Sequence, residues 1–279
     1  MNEVLVVIGV GGMGETIARR QAPGKTTLLA DFNENATTAL ADRMRDDGFE
    51  VETQRVDVSS RESLTALAGR AVELGRISQV VHTAGLSPTQ ASVEAVLNVD
   101  LVGVALMLEV FGAVIAAGGS GVVISSSSAY LVPQLTQEQA ALIRSTPAEL
   151  LPALPFIAEI EDAGMAYGLS KLANQVQVQH ASSSWGKRSA RVNTISPGVI
   201  STAMGRQELA GESGAFMQGM VNFSGTGRLG TPSDIADGAT FLLGQQASFI
   251  TGIDLLIDGG AVAAVATGLV PTNGLPLFD

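Results

Sequence analysis

Glu3 to Ile8 is a run of aliphatic residues that stops at a glycine cluster, Gly9-Val10-Gly11-Gly12-Met13-Gly14. Helix-forming residues follow, from Glu15 to Gln21. No other stretch constrains the fold as strongly. An unbroken apolar run predicts a strand buried on both faces. Glycines directly after it let the backbone turn sharply and approach a ligand, and the helix that follows presents a positive N-terminus. The cluster reads equally as G-x-G-x-x-G and as G-x-x-G-x-G. In the setting strand, glycine turn, helix, either pattern suits a pyrophosphate. The plainer reading is a tight strand-to-helix turn with no ligand.

The alternation continues along the chain. Thr26 to Ala30 is a second apolar strand, ending in Asp31. An acid at this point would hydrogen-bond adenosine ribose hydroxyls and repel a 2′-phosphate. The next residue, Phe32, is not basic, so NAD is expected over NADP. Asp31 could instead cap the next helix, with Asn33 as a rival for that job. Gly24-Lys25-Thr26 imitates the end of a phosphate-binding P-loop, but Arg19 stands where that pattern needs glycine. Asn35 to Asp47 is predicted helical. Val51 to Val56 is a strand leading to Asp57-Val58. Ser59 with Glu62 predicts a capping box for a helix from Arg61 to Leu74. Ile77 to Val81 leads into His82-Thr83-Ala84-Gly85, Val93 to Gly118 is largely helical, and Gly121 to Ile124 ends in Ser125 to Ser128. Strands alternating with helices imply an α/β fold: a Rossmann-type doubly wound parallel sheet of about seven strands. In such sheets ligands bind outside the carboxyl ends of the strands.

Bulk properties narrow the field. The 279 residues suit a single domain, and a formal net charge of −11 argues against nucleic acid and anionic membranes as partners. Without cysteine there can be no disulfide, thiolate metal site or cysteine nucleophile. The first residues carry Glu3 and no basic cluster, so no signal peptide is expected and a cytoplasmic protein is the default. Gly103 to Gly118 is apolar but short and contains Glu109, which predicts a buried helix. His82 and His180 lie far apart and the acids are scattered, so no metal site is expected. The absence of a G-x-S-x-G elbow disfavours a serine hydrolase.

Two segments break the rhythm. Residues 130–164 hold four prolines and amphipathic pieces such as Gln137 to Arg144, and predict an inserted lid or interface element. Residues 203–227, rich in Gly, Met and Phe, predict a mobile substrate loop. Met204, Phe216, Met217, Met220, Phe223 and Leu135 suggest an apolar pocket. Arg191 to Ile195 and Ile253 to Ile257 are strands, and Thr231, Pro232 and Asp234 start a helix. The tail from Ala261 is small, apolar and irregular, suited to packing on another subunit or crossing the site.

Tyr167 and Lys171 share a helix face, one turn apart. A phenol is a poor acid or base near neutral pH, because its reference pKa is about 10. A nearby ammonium favours the phenolate, so the pair can move a proton.

Taken in order, the glycine turn, Asp31, Asp57-Val58, Ala84-Gly85, the serines, Tyr167-x-x-x-Lys171, Pro197-Gly198 with Thr202, and Asp258-Gly259-Gly260 resemble the short-chain dehydrogenase/reductase family over nearly the whole chain. The resemblance implies hydride transfer between a secondary alcohol or ketone and a nicotinamide cofactor, NAD in preference to NADP. Tyr167 would exchange the proton, Lys171 would lower its pKa and hold the ribose, and Ser126 would polarise the carbonyl, with Ser125, Ser127 and Ser128 as rivals. Gly9, Gly12 and Gly14 would face the pyrophosphate, with Gly11 and Met13 also at the cofactor. Asp31 and Phe32 would lie at the ribose, Asp57 and Val58 at the adenine, and Thr83, Ala84 and Gly85 along the cofactor. Pro197, Gly198, Val199, Ile200 and Thr202 would hold the carboxamide end. The chain departs from the family in a shortened glycine turn and in the long segment between Ser126 and Tyr167, which resembles that of bacterial 3α-hydroxysteroid dehydrogenase/carbonyl reductases. In Asn98-Val99-Asp100-Leu101, Asp100 best matches the place of an asparagine that helps hold a water in the proton relay, while a small shift of the alignment would put Asn98 there. An ionised aspartate accepts from that water but cannot donate to it. The family also implies a homodimer or homotetramer. Asp100 and the shortened turn support a second reading, a catalytically silent NAD-binding sensor or scaffold.

Overall fold

The computed structural model describes residues 2–211 and 213–270. Seven strands form one parallel sheet: β1 (Glu3–Ile8), β2 (Thr26–Asp31), β3 (Val51–Arg55), β4 (Arg76–His82), β5 (Ser120–Ile124), β6 (Arg191–Pro197) and β7 (Asp254–Ile257). Their order is β3-β2-β1-β4-β5-β6-β7, so the chain winds outward from β1 in both directions. The point where the winding reverses lies between β1 and β4, at the glycine turn.

Alternate residues of one strand serve opposite faces, as the two-residue period requires. Leu5, Val7, Leu29, Val81, Val122 and Ile195 pack against α1 (Gly12–Gln21), α2 (Glu34–Asp46) and α11 (Pro232–Leu243). Val4, Val6, Ile8, Val80, Val123 and Val192 face α3 (Arg61–Leu74), α5 (Gly103–Val114) and α8 (Ala163–Gly186). The apolar run from Val93 to Val114 is long enough to cross a membrane, but here it packs against the sheet between α3 and α8. It begins as α4 (Val93–Val96), widens into a π-helical turn over Leu97–Val102, and continues as α5.

Trp185 pins α8 to α5. It is fully buried, and its indole N–H donates to the Leu108 carbonyl at 3.1 Å. Gly112 and Gly121 make the room, since a Cβ on either would stand 2.7 Å from the indole. Trp185→Ala is expected to cost about 3–5 kcal/mol. The readout is a lower denaturant midpoint with the slope of the transition preserved.

Several local expectations are corrected. Ser60, not Ser59, caps α3 and accepts from the Ser63 N–H. Asp57 draws both the N–H and the hydroxyl of Ser59 into its own turn, so Ser59 cannot serve the helix. Asn33 caps α2, which leaves Asp31 free of that task. The tail is not irregular from Ala261. Ala261–Ala266 is a helix, α12, because the Asp258 carboxylate accepts from Gly260 and Val262 at its start. Residues 271–279, where the tail could cross the site, lie outside the described residues.

The inserted segment packs against α5 and α8. It contains α6 (Gln137–Ser145) and α7 (Pro155–Ala158), with a 3-10 turn over Ala148–Ala153 between them. Ile143, Leu151 and Ile157 join the core on the α5–α8 side, and Arg61 bridges Glu109 and Glu149. Of this segment only its two ends, Leu131 and Gly164, reach the cavity described below. The stretch from Ala203 to Gly227 is also more ordered than its composition suggests. It folds as α9 (Ala203–Leu209) and α10 (Gly214–Phe223), and α10 packs on α12 through Met220, Ala264 and Val265.

Candidate active site

A cavity of about 970 Å³ opens over the carboxyl ends of β1, β2, β4, β5 and β6. It runs from the glycine turn to α9 and α10. Every residue assigned above to the cofactor or to catalysis lines it, except Asp100.

The glycine turn is built by backbone packing. Gly9 has φ +95°, and a Cβ there would lie 2.4 Å from the Ala84 nitrogen. Gly14 lies against the Gly9 carbonyl, 2.0 Å from where its Cβ would be. The Thr83 hydroxyl donates to the same carbonyl at 2.8 Å and ties β4 to the turn. Gly9 and Gly14 are therefore packing glycines. Gly11, with open space around it, is the N-cap of α1 and supplies no side chain to the helix N-terminus. Amides at such an uncapped end suit an anion, so the residues present fit a dinucleotide pyrophosphate. Gly9→Ala is expected to abolish measurable cofactor binding, because it adds both a clash and a left-handed strain. Titration of nicotinamide fluorescence reads the effect.

Asp31 is held in place by two backbone donors, the N–H groups of Val10 at 2.8 Å and Asn33 at 2.9 Å. Beside it, the Arg55 guanidinium lies 4.4 Å over the exposed ring of Phe32. Sequence reasoning missed Arg55, since only the pairing of Asp31 with Arg55 across β2 and β3 brings the cation to this edge. Thr202 caps α9 by accepting from Gly205 at 3.0 Å, and its hydroxyl proton stays available.

Tyr167 and Lys171 lie inside α8, on the face turned to the cavity. The Lys171 ammonium sits 5.3 Å from the centre of the Tyr167 ring. Ser125 is spent on the Lys171 carbonyl, and Ser127 is buried. Ser126 accepts from both the N–H and the hydroxyl of Ser128, which leaves its own proton free toward Tyr167.

Asp100 is fully buried behind Lys171, in the π-helical turn. One carboxylate oxygen lies 2.9 Å from the Lys171 ammonium, and the other accepts from the Leu86 N–H at 3.0 Å. Gly85 makes this possible: a Cβ there would be 2.6 Å from the carboxylate. Lys171 also donates to the Ile124 carbonyl at 3.3 Å. Burial works to lower the Lys171 pKa, but Asp100 and the Tyr167 phenol outweigh it and the net direction is upward. For Tyr167, burial raises the pKa, Lys171 lowers it, Asp100 and Glu208 raise it, and a Ser126 hydrogen bond lowers it; the net direction is upward. His82, fully buried, is brought down to about 3 by burial and then by the Lys171 charge, so it is a neutral group.

The substrate end departs from expectation. Met204, Phe216, Met217 and Met220 line the cavity, but Leu135 and Phe223 do not. Leu135, within the inserted segment, packs against the core on the α5–α8 side, and Phe223 points to solvent. Pro88, Thr89, Gln90 and Glu208 also line the cavity, and no sequence pattern signalled them.

A doubly wound sheet with an uncapped glycine turn and a tyrosine–lysine face over the strand ends defines a dinucleotide-dependent oxidoreductase class. Residues 2–138 match the family model described as short chain dehydrogenase, and residues 157–262 match one described as Enoyl-(Acyl carrier protein) reductase. The unmatched stretch falls in the inserted segment. The chain is 42% identical to the short-chain dehydrogenase/reductase bsc3 of Alternaria brassicicola, over 93% of this chain and 95% of that one. It is 30% identical to a D-threitol dehydrogenase of Mycolicibacterium smegmatis, over 92% and 91%. Among solved structures, a 7α-hydroxysteroid dehydrogenase complexed with NADH and 7-oxo glycochenodeoxycholic acid shares the fold, with a TM-score of 0.73 at 23% identity, covering 92% of this chain and 93% of that one. The chain belongs to the short-chain dehydrogenase/reductase family of oxidoreductases, which bind nicotinamide cofactors.

Proposed function

We propose that the protein is an NAD-dependent dehydrogenase that interconverts a secondary alcohol and a ketone at Ser126, Tyr167 and Lys171. The observation that carries this reading is the Lys171 ammonium beside the Tyr167 ring, in the cavity that the glycine turn also lines. When bound, the nicotinamide supplies the hydride acceptor or donor. The chain does the rest. Amides of Gly11, Gly12 and Met13 would hold the pyrophosphate, Asp31 the ribose hydroxyls, Val58 the adenine and Thr202 the carboxamide. The Ser126 hydroxyl donates to the substrate oxygen and fixes its position. The Tyr167 phenol gives a proton to that oxygen in reduction and takes it in oxidation. Lys171 favours the phenolate. The preference for NAD rests on the Asp31 carboxylate, and the nearby Arg55 makes the comparison with NADP worth measuring.

The name of one relative, a D-threitol dehydrogenase, denotes an alcohol-oxidising enzyme. The competing reading, a silent nucleotide-binding protein, draws on the Asp100–Lys171 ion pair, which offsets the charge that activates Tyr167. Incubation with NAD, NADH, NADP and NADPH against secondary alcohols, ketones and hydroxysteroids decides between them, with nicotinamide absorbance as the readout. Turnover with NAD supports the dehydrogenase. Silence across the panel with intact cofactor binding supports the sensor. We also propose a cytoplasmic homo-oligomer.

A further inference from the structure

Glu208 stands at the substrate end of the cavity. It belongs to α9, and the Ser87 hydroxyl, 121 positions away in the chain, donates to its Oε1 at 2.8 Å. Ser87 is steadied in turn by Thr89, whose N–H it accepts at 3.3 Å. Among the described residues no donor is bonded to Oε2, and no Lys or Arg pairs with the carboxylate. The residue is half-buried, and burial raises its pKa against the smaller opposing effect of the Ser87 bond. It is also close enough to the reacting phenol for its charge to raise the Tyr167 pKa. A carboxyl kept half-buried without a cation costs stability, and such groups in clefts are commonly functional.

We infer that Glu208 selects the substrate: its free oxygen takes a hydroxyl group carried by the alcohol or ketone at a second carbon, so the substrate is a diol or hydroxy ketone on a hydrocarbon skeleton. Three features set this chemistry. A hydroxyl can bond a carboxyl in either protonation state, whereas an ammonium needs the ionised form that burial disfavours. A substrate carboxylate or phosphate at that point would meet a like charge whenever Glu208 is ionised. Met204, Phe216, Met217 and Met220 supply apolar walls for the skeleton. The inference rests on the dehydrogenase reading for the reaction, though not for the binding preference.

The test uses the full chain with NADH and three kinds of ketone: cyclohexanone, its hydroxy-substituted counterparts, and oxocyclohexanecarboxylate. Turnover is followed by absorbance. Equilibrium binding to the protein–NADH complex is followed by nicotinamide fluorescence. The wild type is expected to favour a hydroxy ketone over cyclohexanone by about tenfold or more, as for one hydrogen bond to a charged acceptor, and to disfavour the carboxylate. Glu208→Leu should bring the ratio near one through KM. Glu208→Gln should keep part of it, and Ser87→Ala should weaken it. NADH titration of each variant shows that the fold is retained. Turnover with no hydroxyl preference, a preference that survives Glu208→Leu, or a Glu208→Leu loss equal for every ketone each overturns the inference. A Glu208-dependent preference in binding without any turnover leaves it standing and overturns the dehydrogenase reading. Neither turnover nor a binding preference overturns both.

Discussion

Tyr167→Phe is expected to lower turnover of any good substrate by about 10²–10⁴-fold, the range typical of a lost general acid or base. The substitution removes one oxygen and keeps the ring. The ring packs against the core beneath α8, so phenylalanine should hold the helix in place. Cofactor affinity should change little, because the glycine turn and Asp31 lie at the other end of the cavity. Steady-state kinetics beside an NADH titration separate the two effects. A variant that turns over like the wild type would remove Tyr167 from the proposed chemistry. A variant that fails to bind NADH would show a structural role instead.

Asp100→Asn carries the second large effect, and its sign follows from geometry. The carboxylate sits 2.9 Å from Lys171 and opposes the pull of that ammonium on the Tyr167 phenol. Removing the negative charge lowers the Tyr167 pKa. In alcohol oxidation the reactive form is the phenolate, so the acid limb of the rate profile moves to lower pH. In ketone reduction the phenol donates, so the alkaline limb also moves to lower pH. Lys171 loses its counter-ion in the same variant and its own pKa falls, so the shift holds while Lys171 keeps its proton. There is a structural cost. The carboxylate pairs with the Lys171 ammonium through one oxygen and accepts from the Leu86 N–H with the other, and an amide has only one oxygen. Either the Leu86 N–H or the Lys171 ammonium is left facing the amide nitrogen, at a cost of about 1–3 kcal/mol of stability. Rate profiles measured in both directions, with denaturant unfolding of the variant, check both statements. A profile that moves upward, or stays in place, would show that Asp100 does not set the Tyr167 charge balance.

The seven-stranded parallel sheet was legible because its information is local. Buried strands such as Val4–Ile8 announce themselves as apolar runs, and the residues that end them, Gly9, Asp31, Thr83 and Ser125, mark the ligand edge by the rule for open α/β sheets. Tyr167 and Lys171 were legible for the same reason: four positions on a helix place two side chains together whatever the rest of the chain does. Cap assignment was less secure. Ser59 and Ser60 are adjacent and chemically identical, and a turn made by Asp57 decided between them.

What the sequence by itself determined is therefore the order of strands and helices, the glycine turn, the acid at the end of β2 and the spacing of Tyr167 and Lys171. Each depends on the backbone period or on residues close in the chain. Only the tertiary structure decided that Asp100 pairs directly with Lys171, that Arg55 stacks on Phe32, that the inserted segment buttresses α8, and that Glu208 meets Ser87. Those contacts join segments distant in sequence. They form where packing brings two surfaces within hydrogen-bond reach, and no local pattern records that distance.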